Sequence, residues 1–315
     1  MNKNRQAWVL AGLLIFTLCA LAPRQVACWD PGEKIGMDTD WVPLTDKPDQ
    51  KPAPSPEPQR GEVWKEPVTG MEFVYVPGGC YMQGSPLTEV GRYEDESPQH
   101  KTCVSGFWIG KYEVTNAQYR KFDPEHTSKK YQGHDLNGGT QPAVYVSWYE
   151  AMSYAKWLTE KNNGQYVFWL PTEAEWEYAC RGGTTTSRFW GDDPAKACEY
   201  ANGSDLAAKQ VWKDWNTADC NDGFVATSPV GSFKPNPLGL YDMMGNAWEW
   251  CQDWRGPYPP GPLDNPYGVP SSEEGRIVRG GSWDNMPAGL RSANRSYGTP
   301  NFRRYNDGFR LVRTR

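Results

Sequence analysis

Histidine is scarce and sulfur pairs are absent where a metal centre would need them. The 315 residues hold three histidines, His100, His126 and His134, none at zinc-ligand spacing, and no Cys-x-x-Cys occurs. A zinc cluster is therefore set aside. Basic residues are not gathered into a stripe: 33 Lys and Arg lie interspersed with 38 Asp and Glu, and the formal net charge is -5. Such a surface does not attract a phosphate backbone, so nucleic acid is excluded as a partner. Cysteine stops early, since none follows Cys251.

What is present suits a packed globular domain, with 38% apolar residues, 16 Trp and 17 Tyr. Lys3 and Arg5 precede the apolar run "AWVLAGLLIFTLCALA", Ala7 to Ala22. The run is short for a membrane span and has the pattern of a secretory signal, so residues 1–28 are assigned to it and the mature chain is expected outside the cytoplasm, periplasmic, on the cell surface or secreted. Cleavage after Ala22 would leave Pro23 first; Ala27 and Cys28 offer a second position. "QVAC" also keeps a lipid anchor at Cys28 open, although Gln25 stands where a lipobox prefers Leu, and that anchor is the one membrane association expected.

Residues 29–60 read as a linker, with prolines at 52, 54, 56 and 58. The domain is assigned to 61–315. Six cysteines remain in it, and an oxidising compartment would pair them. Cys80 with Cys103 and Cys198 with Cys220 each close a short loop and are preferred, leaving Cys180 with Cys251; the sequence does not fix this connectivity.

"MEFVYVPGG" predicts a strand ending in a turn. Three helix starts carry Ser or Thr followed three residues on by Glu or Gln: Thr115 with Gln118, Ser147 with Glu150, and Thr172 with Glu175. In the second helix Trp148, Ala151, Met152, Ala155 and Leu158 form one apolar face before Asn163 and Gly164 stop it. After Arg181 regular signals fade, and mostly irregular chain is expected apart from short strand-like runs in "RIVRGGSW" and "GFRLVR".

"FVYVPGGCYMQGS", "FWIGKYEVTNAQYRKF", "PAVYVSWYEAMSYAKWL", "LPTEAEWEYACRGG", "PNPLGLYDMMGNAWEWCQDW", "RIVRGGSWDN" and "GFRLVR" occur in the order found in the formylglycine-generating-enzyme, or sulfatase-modifying-factor, family. The chain resembles that family over about residues 62 to 315. The resemblance implies an α+β fold, a single low-regularity domain related to the C-type-lectin fold. It also implies two calcium ions. One would take the Asn202 side chain, the Gly203 carbonyl, Asp222 and the Phe224 carbonyl; the other would take Asp242, Glu249 and the carbonyls of Gly245 and Ala247. Oxygen donors of this mixture suit calcium. The alternative is that Asp222 and Asp242 are ordinary turn residues.

Active family members place one cysteine two residues after "GGSW" and another about five further on, and the pair binds copper. Here those positions fall at Asn285 and near Leu290. Neither supplies a soft thiolate, so no copper and no formylglycine generation is expected. The segment from Asp284 to Asp307 instead mixes aromatic, Arg and small polar residues, as binding surfaces do. Candidate ligand-binding residues are Ser282, Trp283, Asp284, Asn285, Tyr297, Phe302, Arg304 and Tyr305, with a protein or peptide as the expected partner; a plain solvated loop is the alternative. Exported members of the family include retroelement-diversified variable proteins, and "SYGTPNFRRYND" is rich in the residues such diversification favours. The rival expectation is an extracytoplasmic oxidase of the sulfatase-modifying or pyoverdine-maturation type that works without cysteine.

Overall fold

The computed structural model describes residues 57–269 and 274–313. The signal, the Cys28 anchor and most of the linker lie outside the described residues. Pro56–Arg315 forms one compact unit. In chain order its strands are β1 (Val63–Lys65), β2 (Glu72–Val76), β3 (Gly79–Gln83), β4 (His100–Val104), β5 (Phe107–Gly110), β6 (Lys130–Tyr131), β7 (His134–Asp135), β8 (Phe168–Trp169), β9 (Trp248–Trp254), β10 (Leu263–Asp264), β11 (Arg276–Arg279), β12 (Arg295–Gly298), β13 (Asp307–Gly308) and β14 (Val312–Arg313). The helices are α1 (Asn116–Tyr119), α2 (Trp148–Lys161), α3 (Glu173–Arg181), α4 (Ala197–Tyr200) and α5 (Leu206–Val211).

Three larger sheets and the two-stranded β6-β7 pair organise these pieces. The first runs β1-β2-β5-β14-β8, so the last described strand lies between two early ones. The second is β10-β4-β3 and the third β12-β11-β9-β13. The mixed α+β character expected from the sequence is what the chain adopts.

The predicted capping boxes all form. Thr115, Ser147 and Thr172 each accept a hydrogen bond from the backbone N–H three residues on, and Gln118, Glu150 and Glu175 reach back. Each box satisfies two donors that a helix start leaves free. On α2, Trp148, Ala151, Ala155 and Leu158 are buried as the periodicity requires, against Phe73, Phe168 and Phe309. Asn163 and Gly164 follow the helix with φ of 53° and 68°, a left-handed turn that ends it.

One expectation needs correction. Cys180 and Cys251 are not bonded: both are free and buried, while Cys80–Cys103 and Cys198–Cys220 are disulfides with S–S of 2.01 Å. Cys180 lies on α3 and Cys251 on β9, with each sulfur facing a backbone oxygen, that of Met243 and of Glu249 respectively. In the apolar core they act as small hydrophobic side chains. The region after Arg181 is mostly irregular, as expected, but "WEWCQDW" forms the seven-residue strand β9 at the middle of the third sheet, which the sequence did not announce. Its buried residues do not alternate, because both faces are covered.

Candidate functional site

The segment from Arg279 to Arg295 is anchored by buried ion pairs. Arg279 donates to Glu173 at 3.2 Å and Glu177 at 2.6 Å, and to the carbonyls of Ser292 and Ala293. Arg291 grips Glu96 through both terminal nitrogens, at 2.8 and 2.5 Å, and reaches Glu89. Arg295 makes a bidentate pair with Glu173 at 2.8 and 2.6 Å and lies over the Tyr258 ring. Fork-on-carboxylate pairing fixes direction as well as distance, so these arginines set the path of the loop between β11 and β12.

That path leaves an open cleft of about 520 Å³. Asn285 and Gly289 come from the loop, Asn294, Arg295 and Ser296 from its end and the start of β12, and Trp248 from β9. Tyr93, Glu94 and Asp95 close it from the connection between β3 and β4. The Arg291–Glu96 pair holds that connection, and the Cys80–Cys103 disulfide joins the two strands that carry it. A second hollow of about 360 Å³ shares Glu94, Asp95 and Arg255 with the cleft and adds Glu274. Desolvation opposes the charge on Arg255, but Glu274 and Asp95 outweigh it and hold the guanidinium above its ordinary range.

The two positions that would carry copper ligands do not fit that metal. Asn285 Oδ1 accepts from the Ser282 N–H at 2.9 Å and the Ser282 hydroxyl at 3.0 Å, which locks the amide. Leu290 is fully buried; a Cβ on Gly281 would meet its Cδ2 at 2.6 Å and one on Gly203 its Cδ1 at 2.9 Å. A locked amide and an alkyl group give no soft donor.

The expected calcium ligands fare differently. Asn202, Gly203, Asp222 and Phe224 are brought together: Asp222 accepts from Gly203 N–H at 3.1 Å and Phe224 N–H at 2.8 Å. Asn202 Oδ1 is buried with no donor facing it. Burial, with the neighbouring Asp205 adding its charge, pushes the Asp222 carboxyl up to about 7. Excess buried negative charge and an unmet oxygen fit a hard cation. In the second set Asp242 Oδ1 is likewise unmet, and burial raises that carboxyl to about 6. Gly245 stands at φ 80°, where a Cβ would strike the Asn202 carbonyl at 2.1 Å. Ala247 donates its N–H to Glu113 at 3.1 Å. Glu249, however, already receives Arg310 at 2.6 and 2.7 Å and the Trp176 indole at 2.8 Å. Arg310 neutralises it, so the second set fits a cation less well than the first. Glu113, unmarked in the sequence reading, is the other buried acid there, raised by burial and by Asp242 and Glu249.

The candidate ligand residues do not form one surface. Asn285 lines the cleft, and Tyr297 lies under Arg255 at 4.2 Å, beside it. Ser282 and Trp283 are buried and cannot meet a ligand: the hydroxyl serves Asp284 and Asn285, and the indole packs among Tyr131, Trp212, Trp215 and Tyr305. Asp284 and Tyr305 bond each other at 2.8 Å. Phe302 is exposed, and Arg304 is half-exposed beside Asp307. Tyr93, Glu94, Asp95, Trp248 and Arg255 were missed. Their segments are far apart in sequence, and nothing local marks them as partners.

Known proteins resemble this chain in sequence and in fold. Formylglycine-generating enzyme of Streptomyces coelicolor is 31% identical, covering 83% of this chain and 91% of that protein. The Mus musculus enzyme is 30% identical, covering 78% and 76%. Among solved structures, PvdO from Pseudomonas aeruginosa is 31% identical with a TM-score of 0.70, covering 82% of this chain and all of that one. Treponema denticola variable protein 1, 24% identical with a TM-score of 0.65, shares the fold over 80% of this chain and 98% of its own. Residues 59–315 match the sulfatase-modifying factor enzyme 1-like domain, and the chain belongs to that family.

Proposed function

We propose that this domain is exported and works as a binding module, holding a protein or peptide segment in the cleft between the Tyr93–Asp95 connection and the loop of Asn285 and Asn294. One observation carries the reading. Where the family's oxidation chemistry would need its first thiolate, the cleft presents the Asn285 amide, locked by Ser282. The rest of the lining is hydrogen-bonding and aromatic, with Asn294, Arg255 and Arg295 beside Trp248 and Tyr93. Groups of this kind recognise polypeptide well. Two disulfides accord with an extracytoplasmic site of action. Calcium at Asn202, Gly203, Asp222 and Phe224 is part of the proposal, as a brace for the loops behind the cleft.

The 31% identity to a formylglycine-generating enzyme favours a second reading, an extracytoplasmic oxidase or maturation enzyme using residues other than cysteine. Incubation with copper, oxygen and a sulfatase-motif peptide, followed by mass spectrometry, distinguishes the two: formylglycine in the product overturns the binding reading. In parallel, peptides selected from a displayed library should bind the protein and lose at least about tenfold against Asn285→Trp, which fills the cleft. Retention of full affinity by that variant places recognition elsewhere. A chelator should lower the melting temperature if the first cation set is occupied, and an unchanged melt argues against it.

A further inference from the structure

We propose that β12 is the docking strand of the cleft, and that the polypeptide held there adds to the third sheet as an extended strand along its free edge; this rests on the reading of the cleft as a peptide site. β12 (Arg295–Gly298) ends that sheet and pairs with β11 on one side alone. The direction of its hydrogen bonds follows from β9. Trp248 donates its N–H to Asn306, on the β13 side of β9, so the next residue, Glu249, turns its backbone groups to β11 and meets Arg279 there. Along a strand these directions alternate. Arg279 thus faces β9, Val278 faces β12, and Ser296 and Gly298 turn their backbone groups to β11. Arg295 and Tyr297 turn theirs outward, and among the described residues no backbone partner meets them.

Edges of this kind are normally blunted by proline, by a charge standing on the edge, or by a covering element. The strand "RSYG" holds no proline, and Arg295 turns its charge inward to Glu173 at 2.8 and 2.6 Å. Tyr297 is 40% exposed, so the edge is uncovered there. Other edges differ. β13, at the far side of the same sheet, is two buried residues, and β3 is flanked by α3, with the Tyr81 hydroxyl donating to the Ala174 carbonyl and the Gly84 N–H to Glu177.

The free edge borders the cleft. Arg295 and Ser296 line it, and Arg255, which lines both hollows, lies over the Tyr297 ring. Successive side chains of β12 take opposite faces. Arg295 reaches the carbonyls of Asp95 and Gly256, whereas on the other face a Cβ at Gly298 would meet the Trp250 ring at 2.6 Å. Ser296 shares the Gly298 face, so a hollow lined by both Arg295 and Ser296 runs past the edge of the strand. The outward N–H and C=O groups of Arg295 and Tyr297 recur two residues apart, a spacing of about 7 Å. An extended polypeptide repeats its donors and acceptors at that spacing, and a sugar or small metabolite does not. Such main-chain pairing tolerates many sequences, with selectivity left to the alternate side chains that enter the hollows.

The probe is a synthetic peptide taken from the library selection on the wild-type protein, with analogues each N-methylated at one backbone position. Methylation at alternate positions should weaken binding by at least about tenfold, with little change at the positions between. Hydrogen exchange should slow at the amides of Arg295 and Tyr297 on binding and stay unchanged at Ser296 and Gly298, which β11 already holds. Tyr297→Pro, which removes an outward N–H where an edge strand accepts proline, should lose about as much, while Tyr297→Ala keeps that N–H and should bind within about threefold. The exchange measurement serves if Tyr297→Pro does not fold. Peptide binding without protection at Tyr297, or without alternation among the analogues, overturns strand addition and leaves the peptide reading of the cleft standing; absence of any peptide binding overturns both. Protection of the same amides that grows with protein concentration and needs no peptide assigns the edge to a second copy of this chain and overturns the proposal equally.

Discussion

From Gly61 to Arg181 the chain is arranged by regular structure: capped α2 and α3, and the antiparallel pairing of β1, β2 and β5. From Gly182 to Arg313 helices are short, and long loops are tied by a disulfide, a stack of tryptophans and buried arginines. The first region satisfies much of its backbone within helices and neighbouring strand pairs. In the second, side chains distant in sequence must arrive together, as when Arg291 reaches Glu96 and Arg310 reaches Glu249. Loops built this way can change residues at their tips while their anchors stay fixed, and such a tip supplies Asn285 and Gly289 to the cleft.

The largest effect should come from breaking one of those anchors. Arg279→Ala removes a fully buried cation from Glu173 and Glu177 and leaves two carbonyls without donors. Breaking a buried pair by removing one partner costs about 3–5 kcal/mol. Arg303 makes an equally short bidentate pair with Glu150, at 2.8 and 2.6 Å, but on the surface. Arg303→Ala should therefore cost less than about 1 kcal/mol. Urea unfolding of both variants measures the contrast, and comparable losses would refute the assignment of stability to burial.

A pH effect of intermediate size should come from the junction of the two regions. Asp253 on β9 is buried and accepts from the Glu173 N–H at 2.7 Å and the Gly268 N–H at 2.8 Å. Burial, reinforced by Glu173, outweighs these bonds and raises its carboxyl to about 7. A folded pKa above the unfolded one means the native state holds the proton more tightly. The associated stability is fully present below pH ~4 and lost as pH rises toward 7, at up to about 1.4 kcal/mol per pH unit. Asp253→Asn removes this slope. Melting temperatures between pH 4.5 and 7.5 should show the variant gaining on the wild type as pH rises; parallel curves would mean that Asp253 is ionised throughout.

Legibility followed the same division. Thr115, Ser147 and Thr172 announce their helices because both partners of each box lie within four residues. Cys80 and Cys103 were readable as a short loop, and they face each other directly across β3 and β4. The Cys180–Cys251 pairing failed because counting leftovers ignores burial: a core cysteine needs no partner. Strand β9 was hidden because "WEWCQDW" is covered on both faces and shows no alternation. Of the cleft, Asn285 could be found from its place after "GGSW", while Glu94, Arg255 and Trp248 could not, since two segments far apart in sequence, one before β4 and one along and just past β9, bring them together. The free edge of β12 has no sequence signature at all, because an edge is defined by what does not lie beside it.

The smallest effects belong to the helix caps, and here two copies of one motif can be set against each other. Ser147→Ala and Thr172→Ala each remove an N-cap hydroxyl, a change that costs about 0.5–2 kcal/mol. The partners differ. Desolvation acts upward on Glu150, but Arg303 and Ser147 outweigh it and hold the carboxyl below its ordinary range. On Glu175 burial prevails over the hydrogen bonds from Thr172, and the carboxyl is raised. After Ser147→Ala, Glu150 keeps the guanidinium and the backbone N–H at 2.9 Å. After Thr172→Ala, Glu175 keeps the backbone N–H at 2.8 Å but loses its one hydroxyl donor, with no guanidinium in reserve. Thr172→Ala should thus fall near the upper end of the range and Ser147→Ala near the lower, read as the difference in unfolding midpoint. Equal losses would show that the cap hydroxyl alone, and not the state of the returning carboxylate, sets the strength of the box.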